Sequence, residues 1–314
     1  MTELNNLFSY LDQRNLLLPQ KRTLILNLGF GKCGSTSMQS KLLPFLPFSS
    51  YSYQGRYYKI NREKNKLFPH DKVNDMSSMI SSKKFSLLSR AVSDAFDKRN
   101  CVCFSSELLP SDFSSAVQAA QCLTKSLDDD IEVIYLFGVR NARMAAFSSY
   151  VHSVHQYFQK ENQFYSINDV IFDNVEAALG LGFSKEDFFT VCGKRPIAID
   201  QYDYSGIIAK FLQSAARKSS SFIIDVNALS SSQRFWRDLF SRVIGQECTI
   251  DGGKILRDWM CMIDQLSPVN FTPSKNKKLI PFESRSIDAE NEKKLQLIEL
   301  KNCISYPRLG NYYS

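Results

Sequence analysis

A chain of 314 residues, 44% of them hydrophobic, can bury a sizeable core, and its size fits one elaborated α/β domain better than a string of small ones. Its 39 lysines and arginines against 32 acids leave a net charge of +7, which suits phosphate- or sulfate-bearing ligands. The basic residues form no tail and no helical stripe, and the longest run, Lys275-Asn276-Lys277-Lys278, has the composition of a solvated loop, so nucleic acid is not an expected partner.

The first residues, MTELNNLFSYLDQRNLLLPQKR, contain no apolar stretch long enough for a signal peptide, and no segment reaches membrane-spanning length. The 8 cysteines include no CxxC pair, and no histidine stands at zinc-ligand spacing from them. They read as buried or free thiols in a reducing compartment. The expectation is a soluble cytoplasmic protein without a transmembrane segment and without a required metal.

Apolar runs of strand length recur with helical patterns between them, the signature of a parallel sheet covered by helices. Strands are expected at residues 23–29, 101–105, 131–137 and 221–226, and helices at 86–98, 113–126, 142–159, 204–217 and 232–244, the last capped by Ser231 or Ser232. The polar, tyrosine-rich stretch SSYSYQGRYYKINREKNK, residues 49–66, reads as an excursion near the ligand, too irregular for a core element, and residues 150–200 as a helical insertion on the acceptor side. Nothing Pro- or Gly-rich marks a linker. The fold expectation is therefore α/β, a central parallel β-sheet flanked by helices in one domain spanning 1–314, with its core at about 22–275.

The first strand runs into a glycine-rich turn, LILNLGFGKCGSTSMQSKL. A strand that ends in glycines and feeds a helix N-terminus aims backbone N–H groups and the positive end of the helix dipole at one spot, which favours an anion. Gly29 and Gly34 bracket four residues as in the GxxxxGK[ST] nucleotide loop. Where that loop needs its lysine, however, this chain has Ser35, and the lysine comes three places earlier at Lys32. Asp225, at the end of the fourth strand, is where a kinase would help hold magnesium; it reads as a turn or cap residue.

GKCGSTSMQ resembles the 5′-phosphosulfate loop of sulfotransferases that use 3′-phosphoadenosine 5′-phosphosulfate (PAPS), commonly KxGTT followed by a helix. Lys32, Gly34 and Thr36 match it, Ser35 keeps a hydroxyl where threonine is usual, and Cys33 stands at a tolerant position. About a hundred residues on, IEVIYLFGVR followed by NARMAAFSSY is similar to the family's 3′-phosphate site, a strand ending in Arg-Asn-Pro and then a helix bearing a serine. Arg140 and Ser148 keep the separation of eight residues, with Ala142 in the proline position. Arg140 offers a planar fork of donors, and Ser148 lies roughly 12 Å of helical rise further on, so the arginine must fold along the helix for both to share one anion. Softer likenesses run through YDYSGIIAKFLQ, the strand ending at Asp225 and Val226, and VNFTPSK at 269–275. The resemblance covers residues 22 to about 275, with specific motifs at 29–38 and 140–148.

The resemblance implies a P-loop-like sulfotransferase fold of the bacterial and glycan-modifying branch, with PAPS as sulfuryl donor. Residues Gly31, Lys32, Cys33, Gly34, Ser35, Thr36 and Ser37 would hold its 5′ end, and Arg140 and Ser148 its 3′-phosphate. Lys32 would neutralise charge on the departing phosphate. Glu107, just past the second strand where glycan-acting members place a glutamate, would be the general base. His155, which shares a helix face with His152, is the other candidate. The expected acceptor is a sugar hydroxyl on a saccharide, glycolipid or polysaccharide precursor, or else a small natural product, bound against aromatic residues between Tyr51 and Tyr58. Two other classes fit the loop in part: a P-loop kinase and a non-catalytic nucleotide-binding module.

Overall fold

The computed structural model describes residues 16–30, 33, 38–54, 59–61, 66–68, 80, 83–109, 113–145, 199–215, 219–228, 233–247, 250–264 and 289–313. Eight strands occur among them: β1 (Thr23–Phe30), β2 (Tyr51–Gln54), β3 (Lys59–Asn61), β4 (Lys66–Phe68), β5 (Cys101–Leu109), β6 (Glu132–Val139), β7 (Ser220–Asp225) and β8 (Asn311–Tyr313). The helices are α1 (Phe85–Phe96), α2 (Phe113–Ser126), α3 (Tyr204–Ser214), α4 (Gln233–Ile244), α5 (Ile250–Asp264) and α6 (Ala289–Leu309).

Six strands form one sheet in the order β2-β5-β1-β6-β7-β8, every neighbouring pair parallel, while β3 and β4 make a separate antiparallel pair. The α/β class with a central parallel sheet, expected from the pattern of apolar runs, is the fold the chain adopts, and it is consistent with a P-loop-like architecture. β1 explains why. All eight of its residues, TLILNLGF, are buried, as a strand covered on both faces requires.

Contacts divide the chain into two compact units, one of residues 1–140, 205–269 and 305–314, the other of residues 141–204 and 270–304. The first contains the sheet. On one of its faces Ile25, Cys103, Ile134, Leu136 and Phe222 pack under Leu42, Leu43 and Phe48 and under α4 and α5. Helix α4 buries Phe235, Trp236, Leu239, Phe240, Val243 and Ile244, a stripe at helical spacing. Trp259 of α5 packs edge-on against Trp236 with ring centroids 5.0 Å apart, and its indole N–H donates to the Phe45 carbonyl at 2.8 Å. Complete burial of each such apolar side chain contributes about 1.5–3 kcal/mol.

The opposite face carries the other strand parity. Phe211 of α3 meets Tyr135 and Phe137 at 5.1 and 6.0 Å. Helix α2 lies beside α3, where the Gln121 amide donates to the Ser214 carbonyl at 2.9 Å. Helix α1 buries Leu88, Val92 and Phe96 and adjoins α2.

In the second unit, the turn Ile199–Tyr202 is tied to α6 by the Asn302 amide, which donates to the Tyr202 carbonyl at 2.9 Å, and by the pairs Lys294–Asp200 and Lys301–Asp203. Of the helix expected over 142–159, only 142–145 lies within the described residues, and it is helical. The insertion at 150–200, apart from 199 and 200, and the serines Ser231 and Ser232 lie outside them.

The tyrosine-rich stretch departs from expectation. Tyr51–Gln54 is an edge strand of the main sheet, paired with the first half of β5 from Tyr51 opposite Cys101 to Gln54 opposite Phe104. Half-burial of alternating Tyr and polar residues lets this segment take a strand position at the sheet margin, where one side need not be covered. The Tyr51 hydroxyl donates to the Leu43 carbonyl at 2.5 Å, which commits that ring to packing at the amino-terminal level of the sheet. Tyr57 and Tyr58 lie outside the described residues.

Cys33, Cys101 and Cys103 are buried, Cys122 is half-buried, Cys261 and Cys303 are exposed, and all six are free thiols. Among the described residues no helix is long and apolar enough to cross a membrane.

Candidate anion site at the end of beta1

In a parallel α/β sheet, ligands gather beyond the carboxyl ends of the strands, where neighbouring connections leave toward opposite faces. That condition is met at β1. Its connection returns over one face through Met38, Leu42 and Leu43, whereas α2 and α3, which follow β5 and β6, lie on the other. The glycine-rich loop leaves from this point.

Residues Gly31, Lys32, Gly34, Ser35, Thr36 and Ser37 lie outside the described residues, as do Ser148, His152, His155 and the segment 269–275. Cys33 is described. Its side chain is buried and its N–H donates to the Phe30 carbonyl at 3.2 Å, a tight turn immediately after β1. After the loop the chain forms a single π-helical turn, Met38–Leu42, and then a 3-10 turn, Leu43–Phe45. The regular helix expected here is cut short because Pro44 brings no N–H and Pro47 follows.

Glu107 falls within β5, which runs four residues past its expected end. Leu28 pairs with Ser106 and Phe30 with Leu109, so a single residue of β1, Gly29, stands opposite two of β5, Glu107 and Leu108. This is a β-bulge, a device that re-aims a strand at sites of function. It sets the backbone of Glu107 alongside the first glycine of the loop.

The end of β6 closes the other side of β1. A Cβ on Gly138 would stand 3.1 Å from Met38 Sδ and from Val226 Cγ1, and 3.6 Å from the Cys33 carbonyl oxygen. The bare backbone at Gly138 therefore leaves room for Met38 and Val226 close to β6, two residues before Arg140. Arg140 is half-buried, and its Nε is buried with no hydrogen-bond partner among the described residues. A buried guanidinium N–H of this kind is available to a water or ligand oxygen.

Asn141 accounts for the missing proline at 142. Its Oδ1 accepts the Met144 N–H at 3.0 Å and its carbonyl accepts the Ala145 N–H at 3.0 Å, so Asn141 caps the following helix with Ala142 in its first turn. The Arg143 N–H in that turn donates to Glu299 Oε1 at 3.1 Å. Asp225 is likewise a cap, its Oδ1 accepting the Asn227 N–H at 2.8 Å, in agreement with its reading as a turn residue.

One polar feature belongs to neither motif. Asn27 of β1 and Gln39 of the return turn both donate through their side-chain amides to Ser105 Oγ of β5, each at 2.8 Å. The available signal was a polar residue inside each apolar run, the Asn of LILNLGF and the Ser of CVCFSSE. Further back in the sheet, burial pushes the Cys103 thiol up to about 12 and holds Cys101 and Tyr51 well above their ordinary values, so these groups stay protonated at neutral pH.

A cleft of about 740 Å³, lined by Lys21, Glu132, Arg237, Asp238 and Arg242, opens at the amino end of β6, the end of the sheet opposite the loop. Among the described residues there is no cluster of three or more metal-ligating side chains.

The chain matches no protein-family model and no curated protein. Among solved structures it aligns with a chain from a study of the PezAT chromosomal toxin-antitoxin system of Streptococcus pneumoniae, at 9% identity and a TM-score of 0.28, over 85% of this chain and 95% of that one. Likeness at that level assigns neither fold nor activity.

Proposed function

We propose that this chain is a sulfotransferase that moves a sulfuryl group from PAPS to a hydroxyl acceptor of the saccharide class. One observation carries the reading beyond the loop motif: the Cys33 carbonyl would be 3.6 Å from a Cβ on Gly138, two residues before an arginine whose buried Nε has no hydrogen-bond partner among the described residues. Cys33 and Arg140, far apart in sequence, thus both lie near the carboxyl end of β1, and this supports reading the loop and the arginine as the two phosphate-binding elements of an adenosine 3′,5′-bisphosphate site.

PAPS supplies the sulfuryl group and a bisphosphate leaving group. Around it, Lys32 and the loop N–H groups of residues 31–37 neutralise the charge that grows on the 5′-phosphate as its oxygen–sulfur bond breaks. Arg140 and Ser148 hold the 3′-phosphate. Glu107 takes the proton from the acceptor hydroxyl as the new oxygen–sulfur bond forms, leaving a sulfate ester and adenosine 3′,5′-bisphosphate. His155 is the alternative base. With Tyr51 committed to the sheet margin, the saccharide assignment rests on the likeness to the glycan-modifying branch.

Thermal unfolding with adenosine 3′,5′-bisphosphate, with ATP and magnesium, and with neither tests the nucleotide. Stabilisation by the bisphosphate alone is expected; stabilisation by ATP alone would make the chain a kinase-like protein. Transfer of labelled sulfate from PAPS to a panel of saccharides then separates an enzyme from a binding module.

A further inference from the structure

Three buried polar side chains meet where β1, β5 and the turn after the loop converge. Asn27, Gln39 and Ser105 are 1%, 0% and 0% exposed. Ser105 Oγ accepts both amide N–H groups at 2.8 Å, while Asn27 Oδ1 and Gln39 Oε1 have no partner among the described residues. Turning either amide over does not remove the surplus. A serine hydroxyl offers one hydrogen and two lone pairs, whereas two primary amides present four N–H bonds and two carbonyl oxygens. A cluster with that much unused polar capacity is a poor way to fill a core, where apolar side chains of the same size would pack without loss.

Its place in the chain gives it a use. Asn27 comes two residues before Gly29, where the loop begins, and Gln39 two residues after Ser37, where it ends. Ser105 pairs with Asn27 in register and comes two residues before Glu107, at the bulge. A single oxygen therefore joins the chain entering the loop, the chain leaving it and the strand that carries Glu107.

We propose that Asn27, Ser105 and Gln39 form a positioning clamp that holds both ends of the loop against the Glu107 strand, so that the loop's grip on an anion depends on a buried contact away from the ligand. None of the three is a catalytic residue. The inference rests on reading the loop as an anion site, and it deepens that reading by naming what sets the loop's shape.

The test is the triple variant Asn27→Leu, Ser105→Ala, Gln39→Met, which replaces every polar group of the cluster by an apolar one of similar size and leaves none orphaned. Thermal unfolding is measured with no ligand, with inorganic pyrophosphate and with adenosine 3′,5′-bisphosphate. The clamp predicts an unliganded unfolding temperature within about 4 °C of the parent, with the ligand-induced rise cut by at least half. A variant that keeps both its stability and its full ligand response overturns the clamp. If the triple variant does not fold, Gln39→Met alone, which leaves the Asn27–Ser105 bond in place, is judged by the same two shifts. A parent protein that responds to pyrophosphate but not to the bisphosphate ends the sulfotransferase reading and still decides the clamp; one that responds to neither ends both.

Discussion

Gly138 lies so close to Met38 that a Cβ on the glycine would stand 3.1 Å from the methionine sulfur. The same atom would press on Val226 at 3.1 Å, and the Cys33 carbonyl would be 3.6 Å away. A methyl group asks these neighbours to give by a few tenths of an ångström, whereas a branched side chain cannot be accommodated without moving the return turn. Gly138→Val is expected to lower stability by ~1–3 kcal/mol, read as a lower urea midpoint, and to weaken the response to adenosine 3′,5′-bisphosphate. Adding Met38→Ala should recover part of both losses, since the two positions share one space. Additive effects would show that the contact does not shape the loop.

Arg140 has a buried Nε with no hydrogen-bond partner among the described residues. Charge-assisted hydrogen bonds to a phosphate contribute about 1.5–3 kcal/mol, so Arg140→Ala should weaken bisphosphate binding roughly 10- to 150-fold in a calorimetric titration. Arg140→Lys keeps the charge but not the planar fork, and should recover only part of the affinity. Unchanged binding in Arg140→Ala would remove this residue from the site.

Lys32 and Glu107 have different assigned roles, and kinetics can separate them from binding. Lys32→Ala should slow turnover about 10²- to 10³-fold through lost stabilisation of the leaving phosphate. Glu107→Gln should slow it about 10²- to 10⁴-fold through loss of the base. Both variants should retain most of their affinity for the bisphosphate product. Full activity in Glu107→Gln would transfer the base role to His155.

The thiols under the sheet make stability depend on alkaline pH. Burial raises the Cys103 pKa from 9.0 to about 12 and holds Tyr51 well above its ordinary 10.0. Once pH exceeds 9 the unfolded chain releases the Cys103 proton while the folded chain keeps it. The folded state then binds more protons, and its stability falls as pH rises. This contribution is fully present below about pH 9 and is lost progressively toward 12, at up to ~1.4 kcal/mol per pH unit for the one thiol. Urea midpoints between pH 7 and 11 should fall above 9, and Cys103→Ala should flatten the decline. An equal slope in the variant would assign the alkaline loss to other groups.

Elements whose stability is written in their own periodicity were legible from the sequence. Helix α2 occupies the expected 113–126, and β1, β6 and β7 fall within two residues of their expected ends. β5 runs four residues past its expected end because Ser106 and Glu107 look like the close of an apolar run, and only pairing with β1 carries the strand on through a bulge. Tyr51–Gln54 and Asn311–Tyr313 are too short and too polar to declare themselves, and they become strands because an edge of the sheet is open to them. Helix α5 opens on IDGG, which breaks the local helical signal, and is held instead by packing of Leu256, Trp259 and Met260. Helix α6 has no clear apolar face, and is ordered in part by ion pairs and by the Asn302 bond.

The sequence by itself determined the α/β class and set a glycine- and hydroxyl-rich segment directly after the first strand, because periodicity, glycines and hydroxyls act over a few neighbouring residues. The tertiary structure decided what surrounds that loop. Asn27, Gln39 and Ser105 meet although Ser105 is 78 and 66 positions from the other two, and the Cys33 carbonyl comes within reach of a Cβ at Gly138 across more than a hundred residues. Those meetings follow from strand order and register, which are set by burying the whole sheet at once and have no signature in any local window.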